Sequence, residues 1–254
     1  MADIVWTLQY RTPSAADADV ERMLDMARLW LDHLRGPGQH KGPVRILSNF
    51  DPGLPGTEVV RFEADADDRF AVFAARPGNA LKHFDVDPSD RLMQADTDAL
   101  ARHPIAPLFD GIREGEMRVA PSGLTVMDRQ HLGHMFPKWR RRWLKYGRRW
   151  KHRIGVSASF TGMTGRDWPN FMGEWSGVIE QFRGVPMPEP RPGDQGYLNY
   201  LHAFGRVPMR RFGPDEIHHL RVDDPAPRDT IAAARFLHFP VPNKMDRMRE
   251  WSVV

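Results

Sequence analysis

Cysteine is absent from the 254 residues, which excludes disulfides, thiolate-ligated zinc and thiol catalysis together. Redox arguments therefore do not fix a compartment. A second absence is a long apolar run: neither a transmembrane span nor the basic-then-apolar pattern of an export signal follows Met1-Ala2-Asp3. The expectation is a cytoplasmic protein, in a host cytoplasm if its source is viral, and at most peripheral to an anionic surface. Net charge of one sign is also small, +3 from 36 Lys plus Arg against 33 Asp plus Glu. With a pI near 9.4, basic character must then be concentrated locally. What remains is ordinary globular chemistry, 41% hydrophobic and 27% charged, on a chain long enough to bury a large core.

Hydrophobic periodicity sets out an α/β chain. Ile4 to Tyr10 reads as a first strand, broken at Thr12-Pro13. Val20, Met23, Leu24, Ala27, Leu31 and Leu34 have helical spacing, and Gly36-Pro37-Gly38 ends that helix. Strands are expected at 44–48 and 58–62, and a partly helical segment over 70–84 despite Pro77-Gly78. Short strands follow near 117–119 and 155–163, then a helix from the Asp194 region to Phe204 and a strand over 234–240 ending in a histidine. This order implies a sheet with crossover helices, a single domain over 1–254.

The stretch with most chemistry is Arg91 to Asp98, an apolar run ending in Asp96-Thr97-Asp98 at the close of about the fourth strand. Two carboxylates at the carboxyl edge of an open sheet suit a hard cation, Mg²⁺ or Mn²⁺, that bridges to substrate phosphates. Three later fragments accompany it: Pro107-Leu108-Phe109-Asp110, Asp194-Gln195-Gly196-Tyr197-Leu198-Asn199, and His238-Phe239 with Lys244 six residues after the histidine. Taken singly, Asp194 would be a helix cap and His238 a packed core histidine.

In this order the fragments resemble the retaining glycosyltransferase family of glycogenin and the bacterial lipooligosaccharide galactosyltransferases. That family carries Asp-x-Asp, Asp-Gln-x-x-Leu-Asn and a late His-Phe-x-Gly-x-x-Lys-Pro-Trp. Here Val241 stands in place of the glycine of the last motif and Met245-Asp246 in place of Pro-Trp. The resemblance implies a GT-A fold, a Rossmann-like donor half over 1–110 and an acceptor half over 111–254. It also implies a nucleotide-sugar donor, a UDP-hexose in most members. Asp96, Asp98 and His238 would hold the metal, Lys244 would neutralise the donor phosphates, and Arg76 would contact the donor. Thr7, Gln9 and Tyr10 would hold base and ribose, and Gln195 and Asp194 would face the reacting sugar carbon. Ser157-Ala158-Ser159 occupies the place of the family's Asn-Ala-Gly strand, without its asparagine.

One segment falls outside that pattern. Lys138 to Arg153 has nine Lys or Arg and no acid, with Phe136, Trp139, Trp143, Tyr146 and Trp150 at helical spacing. Such a stripe either packs on the body beneath a solvated face or meets a polyanion. Trp139, Arg142, Trp143, Arg149 and Trp150 are the candidate acceptor contacts. The acceptor is expected to be anionic, either DNA with hydroxylated bases, as in phage-type hypermodification, or an anionic glycolipid or surface polysaccharide. Two further readings stand beside these: a metal-dependent phosphohydrolase or nucleotidyltransferase, and a nucleic-acid or membrane-surface binding protein that retains only the scaffold.

Overall fold

The computed structural model describes residues 1–12, 14–63, 69–126, 150, 152–183, 193–220, 224 and 226–253, with 69–75 described by backbone alone. The parallel core is built from β1 (Asp3–Gln9), β2 (Val44–Ser48), β3 (Glu58–Arg61) and β4 (Arg91–Ala95). β1 pairs in parallel with both β2 and β4. Being covered on both faces, it is buried from Ile4 to Gln9, with an apolar run Ile4-Val5-Trp6 and Leu8. Its alternation sorts the cores: Ile4, Trp6 and Leu8 enter one cluster and Val5 another.

The sheet continues with β6 (Met117–Thr125), β7 (Ile154–Thr164) and β8 (Met209–Arg211), giving seven strands in the order β3-β2-β1-β4-β7-β6-β8. β7 runs antiparallel to β4, with Ala95 opposite Phe160. Its first residues, Ile154 to Ser159, therefore project past the carboxyl end of β4. A second sheet of three short strands, β5 (Ala99–Ala101), β9 (Ile217–His219) and β10 (Phe236–His238), lies in the order β5-β10-β9.

Helices close both faces. α1 (Asp17–Arg35) buries Val20, Leu24, Ala27, Leu31 and Leu34 on the spacing read from the sequence. Acids in its first turn, Asp17 and Asp19, and His33 and Arg35 in its last complement the helix dipole. α2 (Arg69–His83) is continuous, with Pro77 inside it. Next to that proline, a Cβ on Gly78 would stand 2.9 Å from Ser176 Oγ, so the glycine allows α2 to lie close against α4 (Trp168–Gln181). α3 (Ala106–Asp110) carries the Leu-Phe-Asp fragment, whose Leu108 and Phe109 are buried and whose Asp110 pairs with Arg91 at 3.0 Å. α5 (Asp194–Phe204) ends on Gly205 in the left-handed conformation, a normal C-terminal stop. α6 (Arg228–Ala232) and α7 (Lys244–Ser252) cover the small sheet, and Met248 and Trp251 of α7 pack with Leu100 and Leu237. Among the described residues, no helix is long and apolar enough to cross a membrane.

Two glycines separate packing from propensity. A Cβ at Gly165, just past β7, would stand 2.0 Å from the Asp87 carbonyl oxygen. At Gly177, exposed in α4, it would meet nothing within 4 Å. In urea denaturation, Gly165→Ala should cost about 1–3 kcal/mol through backbone displacement. Gly177→Ala should gain up to about 1 kcal/mol from helix propensity.

Candidate active site at the carboxyl edge of the sheet

The strand order reverses between β1 and β4, the place where open α/β sheets bind ligands. Asp96, Thr97 and Asp98 bridge β4 and β5 there, and both sheets hold them. The Asp96 amide donates to Ser159 O of β7 at 3.0 Å, and the Phe239 amide donates to Asp98 O at 2.9 Å. The tripeptide is thus clamped between the two sheets, and each carboxylate faces a different set of partners.

Asp98 faces the small sheet. Its Oδ2 accepts from Lys244 Nζ at 2.8 Å, and its Oδ1 lies 3.2 Å from His238 Nε2. Burial opposes the Asp98 charge, but the His238 ring and the Lys244 ammonium outweigh it and hold the carboxyl below the usual carboxylate range. Asp96 faces the large sheet. Its Oδ1 accepts from Arg76 Nη1 at 3.0 Å and from Gln94 Nε2 at 2.9 Å. Burial raises the Asp96 carboxyl; Arg76 opposes that shift and the neighbouring Asp98 adds to it.

Arg76 also reaches Asp194 at the start of α5, with Nε 2.8 Å from Oδ2. One guanidinium, 4% exposed, therefore joins the Asp-x-Asp motif to the Asp-Gln motif. Asp194 is pushed up to about 6, chiefly by burial, with Arg76 pulling down and Asp96 pushing further up. Gly193 is the N-cap of α5, and Asp194 in the first turn serves both the ion pair and the helix end, accepting from backbone amides at Gln195 and at its own position.

Gln195 stands beside the hydroxyls of β7. Ser157 Oγ lies 3.4 Å from Gln195 Oε1 and 3.1 Å from Ser159 Oγ. The last residue of the motif, Asn199, is structural. Its Oδ1 accepts from the Val156 amide at 2.9 Å, while its Nδ2 donates to Val156 O at 2.7 Å and Gln195 O at 2.8 Å. This amide pairing docks α5 against β7 and fixes where Gln195 stands.

The groups open onto a cavity of about 1390 Å³ lined by Gln9, Tyr10, Arg76, Asp96, Asp98, Asp194 and Lys244, with α1 forming a wall. Tyr10 stacks on Phe62 with ring centroids 6.3 Å apart. Gln9 donates from Nε2 to Thr97 Oγ1 at 2.9 Å, while its buried Oε1 has no partner among the described residues. Thr7 differs from the sequence reading: it is buried at 1% within β1, opposite Ile46, and does not line the cavity. Of the acceptor candidates, Trp150 is buried and packs edge to face on Phe204, with centroids 4.9 Å apart. Trp139, Arg142, Trp143 and Arg149 lie outside the described residues.

Asp96, Asp98 and His238 each offer one ligand atom, and these atoms lie within 4.8 Å of one another. Asp98 Oδ1 is buried without a well-aligned hydrogen-bond partner, the condition of a ligand oxygen held in reserve. Two carboxylates and an imidazole suit Mn²⁺ or Mg²⁺. The residues therefore fit a divalent cation. One residue in contact with this set escaped the sequence reading altogether: His219, whose Nδ1 sits 2.7 Å from His238 Nδ1.

The double bridge made by Arg76 has a testable pH signature. Arg76→Met strands the buried Asp194 and the half-buried Asp96 and should cost about 3–5 kcal/mol at neutral pH in urea denaturation. A carboxyl raised in the fold binds protons that the unfolded chain has released, so stability falls as pH rises through that window. For Asp194 in the native protein the window runs from 3.8 to about 6. Without the guanidinium both carboxyls rise further, so the deficit of Arg76→Met should shrink on acidification toward about pH 5. A deficit that is constant with pH would remove the bridge from the account.

No family model matches the sequence, and no curated protein matches it significantly. Solved structures do. A galactosyltransferase, LgtC, in complex with donor and acceptor sugar analogues superposes with a TM-score of 0.55 at 13% identity, over 99% of this chain and 95% of that one. Mouse xyloside xylosyltransferase 1 gives 0.59 at 11% identity over 94% and 98%. A glycosyltransferase involved in glycosylation of the major capsid of PBCV-1 gives 0.55 at 12% identity over the whole of both chains. The protein has the GT-A glycosyltransferase fold, resembling LgtC across its length.

Proposed function

We propose that the protein is a metal-dependent glycosyltransferase that moves a hexose from a nucleotide-sugar donor, a UDP-hexose, to a hydroxyl acceptor with retention of configuration. The observation that carries this reading is the convergence of Asp96, Asp98, His238, Lys244, Arg76 and Asp194 at the strand-order reversal of a GT-A sheet. Fold alone would not carry it.

The residues divide the chemistry. Gln9 supports the choice of base: with Nε2 committed to Thr97, its free Oε1 presents an acceptor that an N–H of a uracil ring would satisfy. Tyr10, on its stack with Phe62, would flank base and ribose. Asp96, Asp98 and His238 would hold Mn²⁺ or Mg²⁺, which when bound neutralises charge developing on the departing diphosphate. Lys244 would release Asp98 and turn its ammonium to the same phosphates. Asp194, held by Arg76, would accept hydrogen bonds from the sugar. Gln195 would position the anomeric carbon; an amide is a poor nucleophile, so same-face transfer is favoured. In that route a phosphate oxygen of the leaving group takes the acceptor's proton.

For the acceptor, the reading is a polyanion, hydroxylated DNA bases first. The Thr125–Ile154 pairing at the end of the β6–β7 hairpin marks where the basic stretch leaves and returns. That end lies beyond the carboxyl end of β4, on the edge that carries the site. Trp139, Arg142, Trp143 and Arg149 are the residues that would contact such an acceptor.

A thermal-shift panel of nucleotide sugars with Mn²⁺ or Mg²⁺ tests the donor. At 100 times its Kd, the true donor stabilises by about 2.7 kcal/mol, several degrees in Tm. Asp98→Asn should abolish the metal-dependent part, and Gln195→Ala should lower kcat on the order of 100-fold with KM little changed. If no nucleotide sugar shifts the native protein, the transferase reading fails. Affinity for DNA that falls steeply with salt supports the acceptor assignment. Absence of DNA binding at low salt transfers it to an anionic glycolipid or polysaccharide.

A further inference from the structure

His219 and His238 occupy the same register on the neighbouring parallel strands β9 and β10, so both side chains leave the small sheet on one face. Their Nδ1 atoms are 2.7 Å apart, and the rings meet edge to face with centroids 4.7 Å apart. Between two neutral imidazoles such a contact holds when one Nδ1 carries the proton and the other accepts it. Two arrangements satisfy this condition. In the first, His219 donates from Nδ1, and His238 keeps its own proton on Nε2, facing Asp98 Oδ1 at 3.2 Å. In the second, His238 donates from Nδ1 and has a lone pair on Nε2. Only the second leaves His238 able to ligate a cation beside Asp98.

We propose that His219 is a positioning residue that accepts the Nδ1–H of His238 when the Asp96–Asp98–His238 site is loaded, so that cation binding reverses the direction of the histidine–histidine hydrogen bond. The inference rests on the metal reading above. Protons balance without net uptake: the proton on His219 Nδ1 passes to His238 Nδ1, His238 Nε2 releases its proton, and His219 Nε2 gains one. Imidazole ligands generally donate their second ring N–H to an outer partner, which fixes tautomer and ring orientation. Here that partner is another imidazole, supplied by a strand with no motif residue of its own.

The test is Mn²⁺ affinity of the full chain, read from the electron paramagnetic resonance of free Mn²⁺ at fixed pH, with thermal melts as the folding control. His219→Leu, which can accept nothing, should bind Mn²⁺ about 10–100-fold more weakly. His219→Gln, whose carbonyl oxygen can accept the Nδ1–H, should recover most of that loss. Equal weakening in Leu and Gln variants would reduce His219 to packing and overturn the proposal. Native affinity in His219→Leu together with lost affinity in Asp98→Asn would overturn it while the metal site stands. Native affinity in both variants, or no Mn²⁺ binding by the native protein, would remove the metal site itself. If His219→Leu does not fold, nitrogen NMR of the native histidines decides. Loading with diamagnetic Zn²⁺ should place the His238 proton on Nδ1, and finding it elsewhere overturns the proposal.

Discussion

The site depends on one buried cation. Arg76 sits between Asp96 and Asp194, which come from opposite sides of the cavity floor and from motifs about 100 residues apart. Without a shared counter-ion, two buried carboxylates repel and each gains a proton. With it, both can remain acceptors in a site that excludes much of the water. A guanidinium suits the task because its planar fork reaches two acceptors from one fixed position. Lys244, about a third exposed, holds the single carboxylate of Asp98, whereas the arginine is built into the floor.

The second constraint is the seam between the sheets. Asp96 hangs by its amide from β7, and Asp98 accepts through its carbonyl from the residue after β10. Since β10 also carries His238, the hydrogen bonds that fix the small sheet also set the distance between carboxylate and imidazole. Metal ligands supplied by a single strand would have only one residue spacing to work with; here the approach of two sheets closes the set. α7 holds the arrangement from outside, packing Met248 and Trp251 on Leu100 and Leu237, with the Arg102 guanidinium donating to Trp251 O.

Much of this was legible in the sequence, and the exceptions have physical reasons. Period-2 and period-3.6 patterns gave β1, α1, β2 and α5 nearly to the residue, because those elements bury one face or both. The strand-end carboxylates and His238 were recoverable because each is a chemical anomaly on an apolar run. Pro77 lies inside α2 because close packing against α4 at Gly78 holds the surrounding helix, so a proline alone did not mark a break. In the small sheet β10 was legible within the apolar run 234–240, whereas β5 and β9, three residues each, are too short for periodicity to register. His219 was invisible for a related reason. Its importance lies in being level with His238 across a parallel ladder, and register between strands is a property of the fold, not of local composition. Asn199 was seen as a motif residue, but its work on the Val156 backbone could be assigned only from three dimensions.

Unsatisfied polar atoms at the cavity complete the argument. Gln9 Oε1 and Gln94 Oε1 are buried without hydrogen-bond partners among the described residues, and Asp98 Oδ1 has only the His238 ring at 3.2 Å; all three belong to the ends of β1 and β4 or to the motif that follows. Each such acceptor costs about 1–3 kcal/mol if nothing satisfies it. A chain selected for stability alone would have replaced at least one of them by an apolar group of similar shape. Their clustering at the strand-order reversal argues that something outside the chain supplies the missing donors and charge. The two kinds of acceptor ask for different things: an amide oxygen is matched by an N–H, and an ionised carboxylate by a cation. A nucleotide with a lactam N–H in its base and a divalent ion on its phosphates provides both at once.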